Sequence, residues 1–475
     1  MKTYTLLFLL LSTIGMQAQE SWSLEQCINY AQENNITVKQ ALANVRTAAL
    51  SEKQAKAARL PNVSANVSLG EQFGRTIDPT TNAFSTQATD YNSFGVSAGI
   101  TLFNGGLINH SIKQAGWDLK AALADAERTS NDLGLLIASA YLNILLSEEQ
   151  LDNAIKRVEL SEKQLDVTKK LIDAGNIPMA EQYNLMAQVA RDEQLAVQAQ
   201  NSVDLAYLTL KQYLQLEPDF DLQIEHPEIL IPTDSDPNNQ TLSSLYQVAM
   251  GNQPAIQSAE YRLKSAEEGV YIAKSSYYPT IAAFADLSTN YSSRFLDFRN
   301  GQYLRTDTFS TTIAINGSDV TIDQYQDIYN YPKVKYLDQL DQNFGQGIGI
   351  SVRIPIYQNG RTRLGVERAR LGVLTAQMQQ TQAHQNLKND IQTAIANARA
   401  AQQQLEASIK TFDATEIAFQ NTEKRHELGA INFLDLSIAK NNRDIAENDL
   451  LVARYDYLFK LKILDFYEGK ELKLD

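Results

Sequence analysis

Residues 94–102 of the chain have the sequence FGVSAGITL, and residues 348–356 have the sequence IGISVRIPI. In both stretches large apolar residues alternate with small or polar ones. A two-residue period of this kind is typical of a β-strand with one apolar and one polar face. The stretches are separated by 254 positions (348 minus 94), which suggests that one unit occurs twice in the chain.

The repetition continues on both sides of these strands. Pro61 and Pro279 lie 218 positions apart, and a second alternating stretch follows each proline. The offset of 254 positions holds through the next long stretch and relates Gly175 to Gly429. Agreement over such a span predicts an internal duplication.

Each copy predicts a helix, a strand pair and a helix hairpin. The first helix covers 24–59 in the first copy and 242–276 in the second. The proline that follows is expected to end it, because the residue before a proline avoids helical dihedrals. Long helices with thin apolar stripes and polar surfaces suit packing side by side. The predicted organisation begins with a signal peptide at 1–18 and a first repeat at 19–216, which contains strand pair 62–103 and helix hairpin 111–216. A connector or equatorial segment at 217–240 follows. The second repeat at 241–468 contains strand pair 280–357, with a long outer loop at 286–344, and helix hairpin 362–467, and a C-terminal tail covers 469–475.

The predicted strands have the character of membrane strands. Their small face suits a water-filled lumen and their apolar face suits lipid. Four strands are too few to close a membrane barrel, which needs about eight or more, and open edges cannot be satisfied in lipid. Oligomers are therefore implied, and three chains would supply twelve strands. The candidate lipid-facing residues are Val63, Val67, Leu69, Phe94, Val96, Ile100, Ile281, Leu287, Ile348, Ile350, Val352 and Ile354.

Composition excludes several other classes of protein. The net charge of −14 argues against nucleic acid as a partner, and a single cysteine, Cys27, excludes an intramolecular disulfide. The four histidines show no repeated spacing typical of metal ligands, and the chain lacks a nucleophile motif or a phosphate-binding loop. We therefore expect no metal, no cofactor and no enzymatic activity. Asn316-Gly317-Ser318 fits a glycosylation pattern, to which we give little weight.

An acid follows each of the two turn glycines by six residues. Glu181 follows Gly175, and Asp435 follows Gly429. In a trimer these acids would form rings of carboxylates, which select cations. The alternative is a solvated acid in the first turn of a helix, where the macrodipole favours it.

The chain resembles the TolC family of outer-membrane efflux proteins over nearly its whole mature length. The resemblance rests on the duplication, the two prolines, the strand ends at 102–105 and 356–360, and above all the segment 429–455. It implies an α+β membrane protein: a homotrimer with a twelve-stranded β-barrel, four strands per chain, continuous with a long periplasmic α-helical barrel.

The resemblance also implies a function and a set of partners. The expected function is an outer-membrane export channel that receives substrates from an inner-membrane transporter through a periplasmic adaptor. A duct for type I protein secretion is an alternative within this class, and a secreted soluble coiled-coil scaffold or adhesin is an alternative outside it. The tips expected to contact the adaptor are Gly175, Asn176, Gly429 and Ala430.

The family resemblance singles out one of the two acids. Asp435 falls on an acid of the periplasmic entrance ring, whereas a second acid of that ring falls on Ile438 and an arginine of its closing network falls on Ile431. We therefore expect any constriction at this end to combine one tier of acid, from Asp435 with Glu181, with apolar side chains.

Overall fold

The computed structural model describes residues 21–77, 82, 84–86, 88–175, 178–227, 236–428, 430–470 and 472–473. The predicted signal peptide and the tip residues Asn176 and Gly429 lie outside the described residues. The helices are α1 (Leu24–Asn34), α2 (Ile36–Ala57), α3 (Leu107–Asp173), α4 (Ala180–Leu214), α5 (Leu242–Asn252), α6 (Pro254–Ser275), α7 (Tyr336–Gln342), α8 (Arg361–Glu427) and α9 (Phe433–Glu468).

The strands of the described residues are β1 (Asn62–Gln72), β2 (Thr76–Ile77), β3 (Phe84–Ser85), β4 (Thr89–Asn104), β5 (Thr280–Ser292), β6 (Gln302–Ile315), β7 (Ser318–Asn330) and β8 (Gly345–Arg353). Four of them form the main sheet, in the order β1-β4-β5-β8, and every neighbouring pair is antiparallel. The other four form two separate antiparallel pairs, β2–β3 and β6–β7.

The structure confirms the internal duplication. Helices α1 and α2 have the same lengths as α5 and α6, and each pair is related by the offset of 218 positions. Helices α3 and α8 each contain 67 residues and are related by the offset of 254 positions. The two sequence offsets therefore relate whole elements.

The single first helix predicted for each repeat is wrong, because each is divided in two. In the first repeat Asn35 interrupts the helix: its side chain donates to the Tyr213 carbonyl at 2.8 Å and accepts from the Thr37 N–H at 2.8 Å. In the second repeat Gln253 is extended and Pro254 begins α6. Proline is favoured in the first turn of a helix, and it forces the preceding residue out of helical dihedrals.

The described residues divide into two compact units. One unit lies within Met1–Leu50, Gly116–Ser265 and Gly372–Asp475, and the other comprises Ser51–Ala115 and Ala266–Leu371. The first unit contains the buried helical cores, in which α1 packs with α3 and α4, and α5 packs with α8 and α9. The second unit contains the main sheet. No helix of the described residues is long and apolar enough to cross a membrane.

The predicted outer loop at 286–344 contains more regular structure than expected. Strand β5 continues to Ser292, β6 and β7 form a hairpin, and α7 follows. Asn316 and Gly317 have φ values of 53° and 81°, as a two-residue hairpin turn between twisted strands requires. The triplet noted for its glycosylation pattern therefore forms the turn of a hairpin.

Candidate channel-forming site

The register of the main sheet places most of its large apolar residues on one face. Val96 of β4 lies opposite Ala65 of β1 and Leu287 of β5, and Ala283 of β5 lies opposite Ile100 and Ile350. Directly opposed residues share a face of an antiparallel sheet. All the predicted lipid-facing residues except Ile354 fall on this face.

The apolar face is exposed in the protomer. Ile348 is 88% exposed, Leu69 is 67% exposed and Val63 is 64% exposed. A sheet of a soluble protein would bury such a face against a core. A continuous exposed apolar face therefore indicates an apolar environment outside the protomer.

Ile354 is an exception among the predicted strand residues. Strand β8 ends at Arg353, so Ile354 lies one residue beyond it, with 63% of its surface exposed. Pro355 follows. Proline has no N–H to donate to a strand ladder, and it ends the pairing at this point although the alternation of apolar residues continues to Ile356.

The opposite face of the sheet is composed mainly of Ser, Gly and Asn, with two larger side chains from β5. Phe284 lies opposite Gly349, and Asp286 lies opposite Gly347. A Cβ atom added to Gly349 would lie 2.6 Å from the Phe284 ring, and one added to Gly347 would lie 2.6 Å from the Asp286 carboxylate. The two glycines therefore make room for the only ring and the only charge that β5 contributes to this face.

We predict that Gly349→Ala weakens the β5–β8 pairing by about 1 kcal/mol, because the Phe284 ring must leave its rotamer. Thermal unfolding in detergent measures this loss. Phe284→Ala in the same chain removes the clash, so the double variant should lose less stability than the sum of the single variants. Additive losses would show that the ring does not contact Gly349.

The turns between the long helices lie where the sequence predicts them. Gly175 follows α3 with a φ of 78°, a conformation that favours glycine, and no atom lies within 4 Å of a Cβ added there. After α8, Ala430 is exposed, and Asn432 caps α9 through a 2.9 Å bond from the Asp435 N–H to its side chain. The described turn residues Gly175 and Ala430 are therefore accessible from outside the protomer.

The predicted constriction residues lie around these turns. Asp435 is exposed in the first turn of α9, and Glu181 is half-buried in the first turn of α4. Ile438 is 52% exposed, and the Ile431 carbonyl lies 3.2 Å from His426 Nδ1. The first turns of α9 therefore expose one acid, Asp435, and two large apolar side chains, Leu434 and Ile438.

A buried polar cluster between the helices was not anticipated from the sequence. Lys440 of α9 and Asp192 of α4 are 5% and 3% exposed, and Ser161 of α3 is fully buried. Lys440 Nζ donates to Ser161 Oγ at 3.0 Å and lies 3.7 Å from Asp192 Oδ2. Ser161 Oγ donates to the same carboxylate, which also accepts from Gln188 at 2.9 Å. One buried ammonium thus connects α9 to both helices of the first hairpin.

A second group of charges lies one helical turn further along α9. Arg157 of α3 donates to the Asp444 carbonyl at 2.7 Å. Arg443 donates to Glu416 of α8 at 2.8 Å and lies 3.0 Å from Glu447. The Arg157 contact links the helix hairpin of the first repeat to that of the second, and Arg443 joins the two helices of the second hairpin.

The sequence contained a signal for this cluster. Lys440 and Asp444 follow Leu436 at intervals of four residues, the spacing of the buried stripe of a helix. All three residues are buried. Charged residues at apolar positions predict a buried pair, but their partners on α3 and α4 lie hundreds of positions away in the sequence.

Glu416 provides a pH-dependent contribution to stability. The hydrogen bond from Arg443 lowers the pKa of Glu416 below its ordinary value, against the opposing effect of partial burial. A lowered pKa in the folded state stabilises the fold above the unfolded pKa of about 4.3, and this stabilisation is lost as pH falls through the folded value.

We predict that Glu416→Gln destabilises the protein by about 1 kcal/mol at pH 7, since it removes one charge-assisted hydrogen bond. The difference from wild type should shrink between about pH 5 and pH 3, where the wild-type carboxylate gains its proton. Thermal midpoints of both proteins across this range measure the effect. A difference independent of pH would contradict this role of the ion pair.

Comparison with known proteins identifies the family. Residues 27–215 and 337–469 match the family described as outer membrane efflux protein. The chain belongs to this family. The TolC outer membrane protein of Vibrio cholerae is 20% identical to it over 463 residues, which cover 95% of this chain and 92% of the relative. The outer membrane efflux protein BepC of Brucella suis is 21% identical over 456 residues, with 93% and 86% coverage.

Solved structures agree with this assignment at the level of the fold. The outer membrane protein VceC of Vibrio cholerae superimposes on this efflux protein with a TM-score of 0.73 at 17% identity, covering 94% of this chain and 96% of that one. The membership confirms the expected α+β channel fold, the function as an outer-membrane export channel of a tripartite system, and the location in the outer membrane with an extension into the periplasm. Because the chain belongs to this family, we reject the alternative hypothesis of a secreted soluble coiled-coil scaffold or adhesin.

Proposed function

We propose that three copies of this chain close one twelve-stranded barrel and form a passive duct through the outer membrane. The observation that supports this most directly is the exposed apolar face of a four-stranded sheet with two outer edges. Among the described residues, β1 pairs only with β4 and β8 only with β5. Inside a bilayer, the backbone N–H and C=O groups along the outer edges of β1 and β8 must form hydrogen bonds with another strand.

The directions of the strands fit closure by identical copies. Since every neighbouring pair in the sheet is antiparallel, β1 and β8 run in opposite directions. The outer edge of β8 in one copy can therefore pair antiparallel with β1 of the next, and the alternation continues around a ring. In that ring the apolar face contacts lipid, and the face with Asp286 lines the lumen.

The partners we propose are a periplasmic adaptor and an inner-membrane transporter. The adaptor contacts the exposed turns at Gly175 and Ala430, together with their neighbours Asn176 and Gly429. The transporter supplies the energy, and the channel itself catalyses no reaction. A relative named pyoverdine export outer membrane protein, OpmQ of Pseudomonas aeruginosa, is 27% identical over 288 residues, which favours small molecules as the cargo.

Deletion of the gene tests the proposed export. We expect the deletion strain to retain more of a fluorescent dye or toxic small molecule than the parent, and the wild-type gene to restore export. Fractionation of the envelope gives an independent measurement, since the protein should be found in the outer membrane. Unchanged retention, with the protein absent from that fraction, would contradict the proposal.

We further propose that the periplasmic end has one tier of acid beside an apolar tier. Asp435 with Glu181 supplies the carboxylates, and Ile431 with Ile438 supplies the apolar side chains. Three exposed Asp435 carboxylates around a narrow entrance would attract cations, as rings of acid do in other channels. Their position in the first turn of α9 also stabilises the helix through the macrodipole.

We predict that Asp435→Asn lowers the preference of the channel for cations. The reversal potential in a planar bilayer under a salt gradient measures this preference. Glu193→Gln is the matched control, because it removes one exposed charge from α4 at a distance from the turn. An unchanged reversal potential in Asp435→Asn would refute the role given to this carboxylate.

A further inference from the structure

The β6–β7 hairpin carries an apolar face that nothing in the described part of the chain covers. Both strands are exposed along their length except at Asp307 and Ile328, which are half-buried. The two strands pair only with each other among the described residues. An isolated two-stranded ribbon is only marginally stable in water and needs a further packing surface.

The two faces of the hairpin differ in chemistry. The register places the large apolar residues of its outer half together on one face, with exposures between 42% and 52%. A contiguous patch of this kind marks an interaction site. The patch, which we call the hairpin apolar face, comprises Phe309, Ile313, Ile315, Val320 and Ile322.

The opposite face is acidic and hydroxylated. Thr306 donates to Asp327 at 2.6 Å and Ser310 donates to Asp323 at 2.6 Å, while Asp319 lies on the same face near the turn. Towards the base of the apolar side, the charges of Arg305 and Asp307 neutralise each other at 2.8 Å. Two copies of the acidic face would repel each other, whereas two copies of the apolar face carry no opposing net charge.

The segments that flank the hairpin in the chain are hydrogen-bonded to the end of β5 in the main sheet. Gln339 of α7 is 1% exposed, and its side chain accepts from the Ser292 N–H at the end of β5 at 3.0 Å. Asn343 donates to the Asn290 carbonyl at 2.9 Å, and Leu296 forms a β-bridge with Lys333. The hairpin is therefore inserted in the chain between β5 and the edge strand β8, and the segments on either side of it are held in place.

We propose that the hairpin apolar face packs against the hairpin apolar faces of the other two copies in the trimer. The inference rests on the proposed trimer, in which β8 is the strand at the junction with the next copy. Three hairpins at the outer mouth turn their uncharged faces towards the symmetry axis and their acidic faces towards water. They form an apolar constriction at the external end of the channel.

Cysteine cross-linking in the purified full-length trimer tests this arrangement. Ile313→Cys places a thiol on the hairpin apolar face, and Thr312→Cys, the adjacent exposed residue on the acidic face, is the matched control. The native Cys27 is fully buried, so it contributes little to cross-linking. We expect oxidation to link most Ile313→Cys protomers into dimers, and Thr312→Cys protomers at a rate at least fivefold lower.

The same variant gives a functional measurement in a planar bilayer. Oxidation of Ile313→Cys should lower single-channel conductance at least twofold, and reduction should restore it. Ile315→Cys, on the same face, replaces Ile313→Cys if that variant does not assemble.

The mass of the wild-type protein in detergent distinguishes the two proposals. Absence of a trimer overturns both. A trimer in which neither apolar-face variant forms a disulfide, or in which Thr312→Cys cross-links equally well, overturns only the packing of the hairpins and assigns the apolar face to lipid or to an external protein.

Discussion

Backbone N–H and C=O groups that enter a bilayer must be hydrogen-bonded. In a single copy of this chain, the outer edges of β1 and β8 do not meet this requirement among the described residues. A four-stranded sheet satisfies the inner strands β4 and β5 and leaves one side of each outer strand to another copy. The exposed apolar face makes lipid the natural environment, and lipid in turn makes open edges untenable. Oligomeric closure follows from these two facts together.

The helical part of the chain is organised by a different interaction. Thin apolar stripes leave long helices free to slide along one another, whereas a buried charge is satisfied in one arrangement only. Lys440 can contact both Ser161 and Asp192 only when α9 has one axial position relative to α3 and α4. Arg443 can contact Glu416 only when α9 has one axial position relative to α8. Removing one partner of a buried pair such as Lys440–Asp192 typically costs about 3–5 kcal/mol, so Lys440 and its partners fix how the two hairpins of a chain are aligned. The Arg443–Glu416 pair is partly exposed, lies within the second hairpin and contributes less.

Local patterns predicted much of the fold. The alternation in 94–102 and 348–356 predicted which residues share the apolar face, and the two offsets predicted which helices correspond. Pro254 and Pro355 mark the places where a local rule overrides a continuing pattern, since each ends an element that periodicity alone would extend. Asn316-Gly317 between alternating residues is a strong hairpin signal, although the surrounding segment was expected to be a loop.

The remaining features depend on contacts between distant residues. The partners of Lys440 are 248 and 279 positions away (440 minus 192 and 440 minus 161), so no window of sequence could pair them. The space that Gly347 and Gly349 provide for Asp286 and Phe284 depends on strand register, which the sequence does not specify to the residue. The constriction at the helix turns stays a prediction, because it forms only where three copies meet.

Amide hydrogen exchange of the purified protein in detergent tests the pairing of the edges most directly. If β8 of each copy pairs with β1 of the next, the amides of β1 and β8 will be protected to the same extent as those of β4 and β5. Fast exchange along the outer edges of β1 and β8, with β4 and β5 still protected, would contradict closure by identical copies.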